Sequence, residues 1–313
     1  MKVRFWGVRG SIASPMTNAE LAVKIETALQ LAVKAGLKAE TEIPAFMKSL
    51  PCYVRETVGG NTACVEIEAD DKLLILDAGT GIRMLGLDMM RRDYGGNPVE
   101  AHILLTHTHW DHISGIPFFV PGFNPKNRVT LYGPFSNLED RIRNQQKFEY
   151  FPVPLPPAFH FVRLKENSVF QIGDVQVETL PLNHPGGSYS YRITHKNKRL
   201  IYATDSEYKD LSNQSLMPFI RFFRHADLLV FDAQFTLLEN IEKEDWGHSN
   251  VLCGIDMAIE AKVKKLVLIH HDPAYNDQKL YKMFRDASEY LEIYAPDRNL
   301  EICLAYEGLR LTV

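Results

Sequence analysis

The heptapeptide Thr-His-Thr-His-Trp-Asp-His at positions 106–112 holds three imidazoles and one carboxylate and directly follows an apolar run. Imidazole and carboxylate together form ligand sets for Zn²⁺, Mn²⁺ and Fe. In an extended segment His107 and His109 point to the same side, because side chains alternate with a period of two. A turn after them would let Asp111 and His112 face a second ion beside the first. The pattern therefore predicts a metal centre rather than a solvated polar loop.

The spacing His-x-His-x-Asp-His resembles the signature of the metallo-β-lactamase superfamily. The resemblance implies an α/β (α+β) fold, a four-layer αββα sandwich that holds one or two metals at the edges of its sheets. It also implies that the remaining ligands follow downstream in a fixed order. The rest of the chain therefore tests the match.

Three downstream residues, His184, Asp205 and His270, each follow a short apolar run that reads as a strand. Taken singly, His184 or His270 would be an ordinary histidine at a strand end. Found together, in the order of the family, the three indicate a dinuclear site. His271 could compete with His270, but neighbours in a strand point to opposite faces, so only one of them reaches the metals. The match to the family pattern favours His270.

The resemblance implies seven ligands for two divalent ions, which could be Zn²⁺, Mn²⁺ or Fe. One ion is bound by His107, His109 and His184, the other by Asp111, His112 and His270, and Asp205 bridges both. An anionic bridge offsets the repulsion between two cations about 3.5–4 Å apart, and a shared water would have its pKa lowered toward neutrality, giving a bridging hydroxide as nucleophile. Asp77 resembles the family's aspartate that orients a ligand histidine.

The segment Trp-Gly-His-Ser-Asn at 246–250 lies about twenty residues before His270 and opens a predicted helix. Its Gly-His-Ser motif resembles that of phosphodiesterases related to the tRNA 3′-processing nuclease RNase Z, in which the histidine contacts the phosphate and assists the leaving group. The metal site is filled without His248, so a role in proton transfer makes chemical sense. We therefore take Asp111, Asp205 and His248 as the catalytic residues.

Three further segments bear on the substrate. Tyr191-Arg192 after His184 resembles the same phosphodiesterase branch, and the segments at 7–11 and 59–62 look most like those of bacterial proteins that cleave 3′,5′-cyclic nucleotides. The resemblance thus implies a dinuclear phosphodiesterase that hydrolyses cAMP or cGMP, with a small phosphodiester as its partner.

Other functions stay open. An RNase Z-like nuclease that processes tRNA 3′ ends is one, although the chain shows no long arm rich in glycine and basic residues. A carboxylic-ester, lactone or thioester hydrolase is another, and it would share the metals without requiring His248. A non-catalytic binding domain is disfavoured, because all seven ligand positions are filled.

The composition limits the kind of protein. The 313 residues are 45% hydrophobic and 24% charged, as in ordinary globular chains, and we expect a single elaborated domain over 1–313. The net charge of −4 provides no overall basic field for long nucleic acid. Four cysteines without a C-x-x-C pair, and no signal-peptide or membrane-length apolar run, predict a reduced, cytoplasmic protein. The family resemblance and the frequency of two-fold assemblies favour a homodimer.

The order of the elements supports the sandwich. Strands are predicted at 3–8, 63–68, 72–76 and 102–105, and helices at 81–92, 250–261 and 277–290.

Two insertions, at about 15–55 and 144–160, depart from a minimal sandwich. The first contains a predicted helix over 18–38, with Asn18 as its N-cap and Gly36 as its stop, and it could form a lid, a dimer face or a packed decoration. The second is rich in Phe, Tyr and Pro and could wall a pocket, stack on a base or lie pinned to the core.

Overall fold

The computed structural model of the chain describes residues 1–92, 94 and 97–313. Its α-helices are α1 (Asn18–Ala35), α2 (Ile43–Ser49), α3 (Cys52–Arg55), α4 (Gly81–Met89), α5 (Trp110–Ile113), α6 (Leu138–Gln145), α7 (Asn213–Phe223), α8 (Leu237–Glu242), α9 (Val251–Glu260) and α10 (Asp277–Tyr294). Its strands are β1 (Lys2–Gly7), β2 (Cys64–Ala69), β3 (Lys72–Leu76), β4 (Glu100–Leu104), β5 (Arg128–Gly133), β6 (Phe159–Arg163), β7 (Val169–Ile172), β8 (Val175–Leu182), β9 (Ser188–His195), β10 (Lys198–Ala203), β11 (Leu228–Asp232), β12 (Lys265–Ile269), β13 (Glu301–Leu304) and β14 (Arg310–Thr312). Short 3₁₀ turns lie at Glu40–Glu42, Ile116–Phe118 and Val120–Phe123.

The described strands form two seven-stranded sheets. The first has the order β14-β1-β2-β3-β4-β5-β6 and the second the order β13-β12-β11-β10-β9-β8-β7. Strands β3 to β6 run parallel in the first sheet, and strands β10 to β13 run parallel in the second. Parallel strands end at the same edge of a sheet. The residues that follow β10, β11 and β12 therefore meet at one edge of the second sheet.

Three apolar clusters hold the layers together. Between the sheets, Phe5 of β1 and Tyr202 of β10 belong to one fully buried cluster. A second cluster packs Ile82 of α4 against the first sheet, and a third packs Phe223 of α7 and Ile255 of α9 against the second sheet. Removing these side chains from water supplies the main favourable contribution to folding. The layers are helix, sheet, sheet, helix, which confirms the predicted αββα sandwich.

The predicted elements are found with small shifts at their ends. The strand at 72–76 has the predicted bounds, whereas the helix predicted over 81–92 ends at Met89 and the helix predicted over 277–290 continues to Tyr294. None of the helices in the described part of the chain is long and apolar enough to span a membrane. That residues 1–313 behave as one domain stays a prediction.

The first insertion forms α1, α2 and α3. The prediction that Asn18 caps α1 is wrong, because Thr17 is the N-cap: its hydroxyl accepts from Glu20 N at 3.2 Å, and Glu20 Oε2 accepts from Thr17 N at 2.8 Å. Such a reciprocal capping box gives hydrogen-bond partners to two backbone N–H groups that the helix itself leaves unpaired. Gly36 ends the helix as predicted, in the left-handed conformation with φ of 70°.

The second insertion is attached beside α5. Gln145 Nε2 donates to Ile113 O at 2.9 Å, and the Phe151 ring meets the Phe118 ring edge-on at 5.5 Å between centroids. The aromatic segment is therefore pinned next to the helix that carries the metal-binding motif, while Phe148 and Tyr150 stay exposed.

Candidate metal centre

The seven predicted ligands come together in two groups at the ends of strands from both sheets. The ligand atoms of the first group lie within 4.8 Å of one another, and so do those of the second group. The first group is His107, His109 and His184, and the second is Asp111, His112, Asp205 and His270. His107 and His109 follow β4, whereas the residues from the second sheet follow β8, β10 and β12. This is the partition that the family resemblance implied.

Asp205 lies between the two groups. Its Oδ1 is 3.8 Å from His107 Nε2 and 3.3 Å from His270 Nε2, and its Oδ2 is 3.3 Å from His112 Nε2. A single carboxylate is thus within reach of imidazoles from both groups. This is the position that a bridging ligand requires.

The donor atoms fit divalent cations. The Nε2 atoms of His112 and His270 face each other at 3.3 Å, and His184 Nε2 faces His109 Nδ1 at 3.1 Å. His107 Nε2 is buried and has no hydrogen-bond partner among the described residues. Buried polar atoms normally have partners, so these converging nitrogens need a proton or a cation between them. Imidazoles and carboxylates in such groups fit Zn²⁺, Mn²⁺ or Fe.

The second ring nitrogen of several ligand candidates is anchored. His112 Nδ1 lies 2.8 Å from Asp77 Oδ2, which places Asp77 where the resemblance expects it. His184 Nδ1 donates to Gly247 O at 2.8 Å, and His270 Nδ1 lies 3.0 Å from Gln234 Oε1. Such contacts fix the tautomer and the ring orientation, so that the other nitrogen stays free for a metal. Nothing in the sequence had pointed to Gln234.

Three site residues have positive φ without being glycine. Asp77, Asp205 and His270 have φ of 59°, 60° and 65° and each follows a strand. Such a left-handed backbone costs on the order of 1–3 kcal/mol per residue and persists only where the surrounding structure enforces it. Here it turns each side chain sharply out of its strand and into the site.

Close backbone approach also shapes the site. A Cβ atom on Gly10 would lie 2.4 Å from the His270 ring, so the loop after β1 can pass that ring only as glycine. The next residue, Ser11, donates its backbone N–H to Asp111 Oδ2 at 2.7 Å. The loop after β1 therefore contributes backbone groups to a site whose side chains come from other segments.

The buried charges compensate one another. Burial opposes the charge on Asp205, yet His112, His270 and His107 hold its pKa well below the ordinary range. Burial likewise disfavours a charged His270, but Asp205 and Asp111 raise its pKa to about 9. The ionised carboxylates of Asp205 and Asp111 are therefore stabilised by positive charge at the centre, which either protons or bound cations can supply.

His271 lies outside the cluster. Its Nε2 donates to Ala305 O at 2.9 Å, and burial lowers its pKa to about 3, so it is a neutral core residue. The structure thus brings His270 into the site and turns its neighbour away, as the alternation argument predicts.

His248 stands beside the metal-binding groups. Its ring is stacked on that of His270 at 5.0 Å, and its Nδ1 lies 3.0 Å from Asp232 Oδ2. Sequence reasoning missed Asp232, although the signal was present. The run Leu-Leu-Val-Phe-Asp at 228–232 is an apolar strand that ends in a carboxylate, as the run before Asp205 nearly does.

Residues 73–271, well over half of the chain, match the family described as the beta-lactamase superfamily domain. The chain belongs to the metallo-β-lactamase superfamily. Membership agrees with the predicted class of enzyme, a metal-dependent hydrolase, and together with the two His/Asp groups it implies divalent metal ions at this centre.

Several relatives are similar over most of their length. The ribonuclease Z of Nitrosopumilus maritimus is 24% identical over 273 residues, covering 72% of this chain and 88% of the relative. The metallo-β-lactamase fold protein YhfI of Bacillus subtilis has a TM-score of 0.63 at 19% identity, covering 99% of this chain and 98% of that one. The short form of human tRNase Z has a TM-score of 0.62 at 16% identity, covering 100% and 99%. The two solved structures share the fold of this chain, and the sequence similarity to ribonuclease Z supports the RNase Z-like branch.

Proposed function

We propose that this superfamily member is a dinuclear phosphodiesterase that hydrolyses 3′,5′-cyclic nucleotides. The observation that carries the phosphodiesterase chemistry is the contact between His248 and Asp232 beside the metal-binding groups. The cyclic-nucleotide substrate rests on the resemblance of the segments at 7–11 and 59–62. A thioester expels a thiolate, which leaves readily, so its hydrolysis at such a centre would not require an added proton donor. Cleavage of a P–O bond to a ribose oxygen benefits from one, because an alkoxide is a poor leaving group.

The geometry supports a separate proposed role for the predicted ligands, for Asp232 and for His248. Ligands for the two ions would be the seven residues of the two groups, and the ions would neutralise the phosphodiester anion and lower the pKa of a water. Asp232 accepts from His248 Nδ1 and holds the ring in one orientation. His248 Nε2, which makes no hydrogen bond to any described residue, is then the atom that hands a proton to the leaving oxygen.

Exposed aromatic side chains beside the site support a nucleotide substrate. Trp110 lies between two predicted ligands in the sequence and is 76% exposed, and Trp246, two residues before His248, is 62% exposed. Tryptophan is rarely left so open to water. A nucleobase would cover one of these faces by stacking.

The deciding experiment compares substrates at equal metal loading. Chelated protein is reloaded with Zn²⁺, Mn²⁺ or Fe²⁺ and assayed on 3′,5′-cAMP, 3′,5′-cGMP, bis-p-nitrophenyl phosphate, a lactone and a thioester. We expect kcat/KM for at least one cyclic nucleotide to exceed that for the synthetic diester. Turnover of the synthetic diester alone would overturn the cyclic-nucleotide substrate but keep the phosphodiesterase chemistry. Turnover only of lactones or thioesters would overturn both.

A second candidate, an RNase Z-like nuclease, is favoured by the curated relatives, one of which is the ribonuclease Z of Nitrosopumilus maritimus. The same pair of His248 and Asp232 would serve it equally well. A precursor tRNA with a 3′ extension belongs in the same assay. Cleavage of that RNA together with no turnover of cyclic nucleotides would establish the nuclease. The identity of the metal and a cytoplasmic location stay predictions.

A further inference from the structure

Helix α1 is well formed but unburied. Its eighteen residues run between a capping box at Thr17 and a left-handed cap at Gly36, yet none of them is buried. The helix is therefore stabilised by its local caps rather than by burial of its side chains in the core. Four of its large aliphatic side chains lie on an i, i+4 ladder of Leu21, Ile25, Leu29 and Val33, which are 48%, 53%, 62% and 82% exposed, and Val23, also exposed, lies off this ladder. We call these four residues the outer ladder.

The opposite side of α1 holds the helix to the body. Lys24 Nζ lies 2.5 Å from Asp277 Oδ2 and donates to Glu56 O at 2.6 Å, and α1 packs against α3. Thr27 and Leu31, on that side, are less exposed than the outer ladder. The ladder therefore faces away from the rest of the chain and has no covering element within the described residues.

We propose that the outer ladder packs against the outer ladder of a second copy of this chain, around a two-fold axis near Leu29. A ladder of i±4 residues is the ridge that interdigitates with its like when two helices cross at about −50°, the commonest crossing in globular proteins. A two-fold axis makes the contact self-complementary. It sets Leu29 against its own mate and Ile25 against Val33 of the second copy.

The charges beside the ladder fit the same axis. Glu26 and Lys34 flank it with opposite signs, and neither forms an ion pair among the residues that the structure describes. Rotation about an axis near Leu29 exchanges the two ends of the helix, so Glu26 of each copy comes alongside Lys34 of the other. Exposed Ile43 and Met47 on α2 extend the apolar surface of the same insertion.

A lipid surface fits the helix less well. Helices that lie on anionic membranes carry an excess of Lys and Arg on their polar face. The charged residues of α1 are Glu20, Lys24, Glu26 and Lys34, which sum to zero. Balanced charges of this kind favour a partner that presents the same pattern in reverse, as a second copy does.

The test measures the mass of the full chain in solution by sedimentation over a range of concentrations. We expect a dimer for the unaltered protein, and a monomer for Leu29→Glu with an unchanged far-ultraviolet circular dichroism spectrum. The matched control is Ile293→Glu on α10, where an equally apolar residue is 83% exposed outside the insertion, and it should stay dimeric.

Charge reversal tests the axis itself. Glu26→Lys and Lys34→Glu should each raise the dissociation constant of the dimer several-fold, because each places like charges opposite one another. The double variant should return it close to the original value. A monomeric unaltered chain, a dimer that persists in Leu29→Glu, or a double variant weaker than both singles would each overturn the proposal. These readouts do not depend on which substrate the centre cleaves.

Discussion

His248 Nδ1 lies 3.0 Å from Asp232 Oδ2, and the His248 ring is stacked 5.0 Å from that of the ligand candidate His270. Neither His248 nor Asp232 belongs to the two groups that the family resemblance assigns to the metals. The contact supports the proposed proton-transfer role of a pair that lies outside the seven predicted ligands.

Removing this pair should affect poor leaving groups most. We expect His248→Ala to lower kcat on a cyclic nucleotide about 10²–10⁴-fold. The loss on bis-p-nitrophenyl phosphate should be smaller, because p-nitrophenolate leaves without help from an acid. Asp232→Asn should also lower kcat more on the cyclic nucleotide than on bis-p-nitrophenyl phosphate, but both losses should be smaller than in His248→Ala.

The control for this prediction is a histidine outside the site. His160→Ala changes an exposed residue of β6 and should leave both substrates unaffected. Metal content is measured for every variant, because Asp232 also lies 3.8 Å from His270. Equal losses of kcat on both substrates, at full metal content, would remove the proton-donor role from His248.

Trp110 should contribute to binding of the base. Truncation to alanine removes a stacking surface worth about 1–3 kcal/mol per base, which corresponds to a rise in KM of about 5- to 150-fold for the cyclic nucleotide. Trp110→Phe should recover much of the loss, because it keeps an aromatic face. Tyr294→Ala, which removes an exposed aromatic ring at the end of α10, serves as the control. An unchanged KM in Trp110→Ala would show that the base lies elsewhere.

Metal removal should destabilise the fold. The cluster keeps ionised carboxylates such as Asp111 and Asp205 at less than a tenth exposure, and a bound cation offsets their charge. A ligand present at about 100 times its dissociation constant stabilises by about 2.7 kcal/mol. Chelation should therefore lower the melting temperature by on the order of 5 °C, measured by calorimetry. His270→Gln should respond less to the chelator, and an identical melting temperature with and without metal would contradict the prediction.

Acid stability should depend on Glu239. Burial raises the pKa of this carboxyl, but Lys279, Thr236 and Tyr275 outweigh burial and lower it to about 2. A depressed pKa means that the contribution to the free energy of unfolding is complete above the unfolded value near 4.5. It is lost as the pH falls from there toward 2.

The measurement is urea unfolding at several pH values. Glu239→Gln should reduce the fall of the free energy of unfolding between pH 4.5 and 2, and should cost stability at pH 7. Glu242→Gln, at the other end of α8, is the control for a general loss of surface charge. An unchanged slope in Glu239→Gln would exclude this carboxyl as a source of acid sensitivity.

The sequence by itself determined the superfamily, the sandwich and the positions of the seven predicted ligands. This was possible because metal binding requires particular residue types. The predicted ligands also lie shortly after apolar runs that are visible in the sequence. The strand at 72–76 and the end of the helix at Gly36 were also predictable, because a turn or a left-handed cap depends on the residues that form it.

Only the tertiary structure decided what those residues meet. Asp232 and Gln234 reach His248 and His270 because β11 lies beside β12 in the second sheet, and strand order is not encoded in any local pattern. The ladder through Leu29 has the same period whether a helix is buried or open. Its exposure is decided by which distant segments approach α1, and periodicity alone could not give that answer.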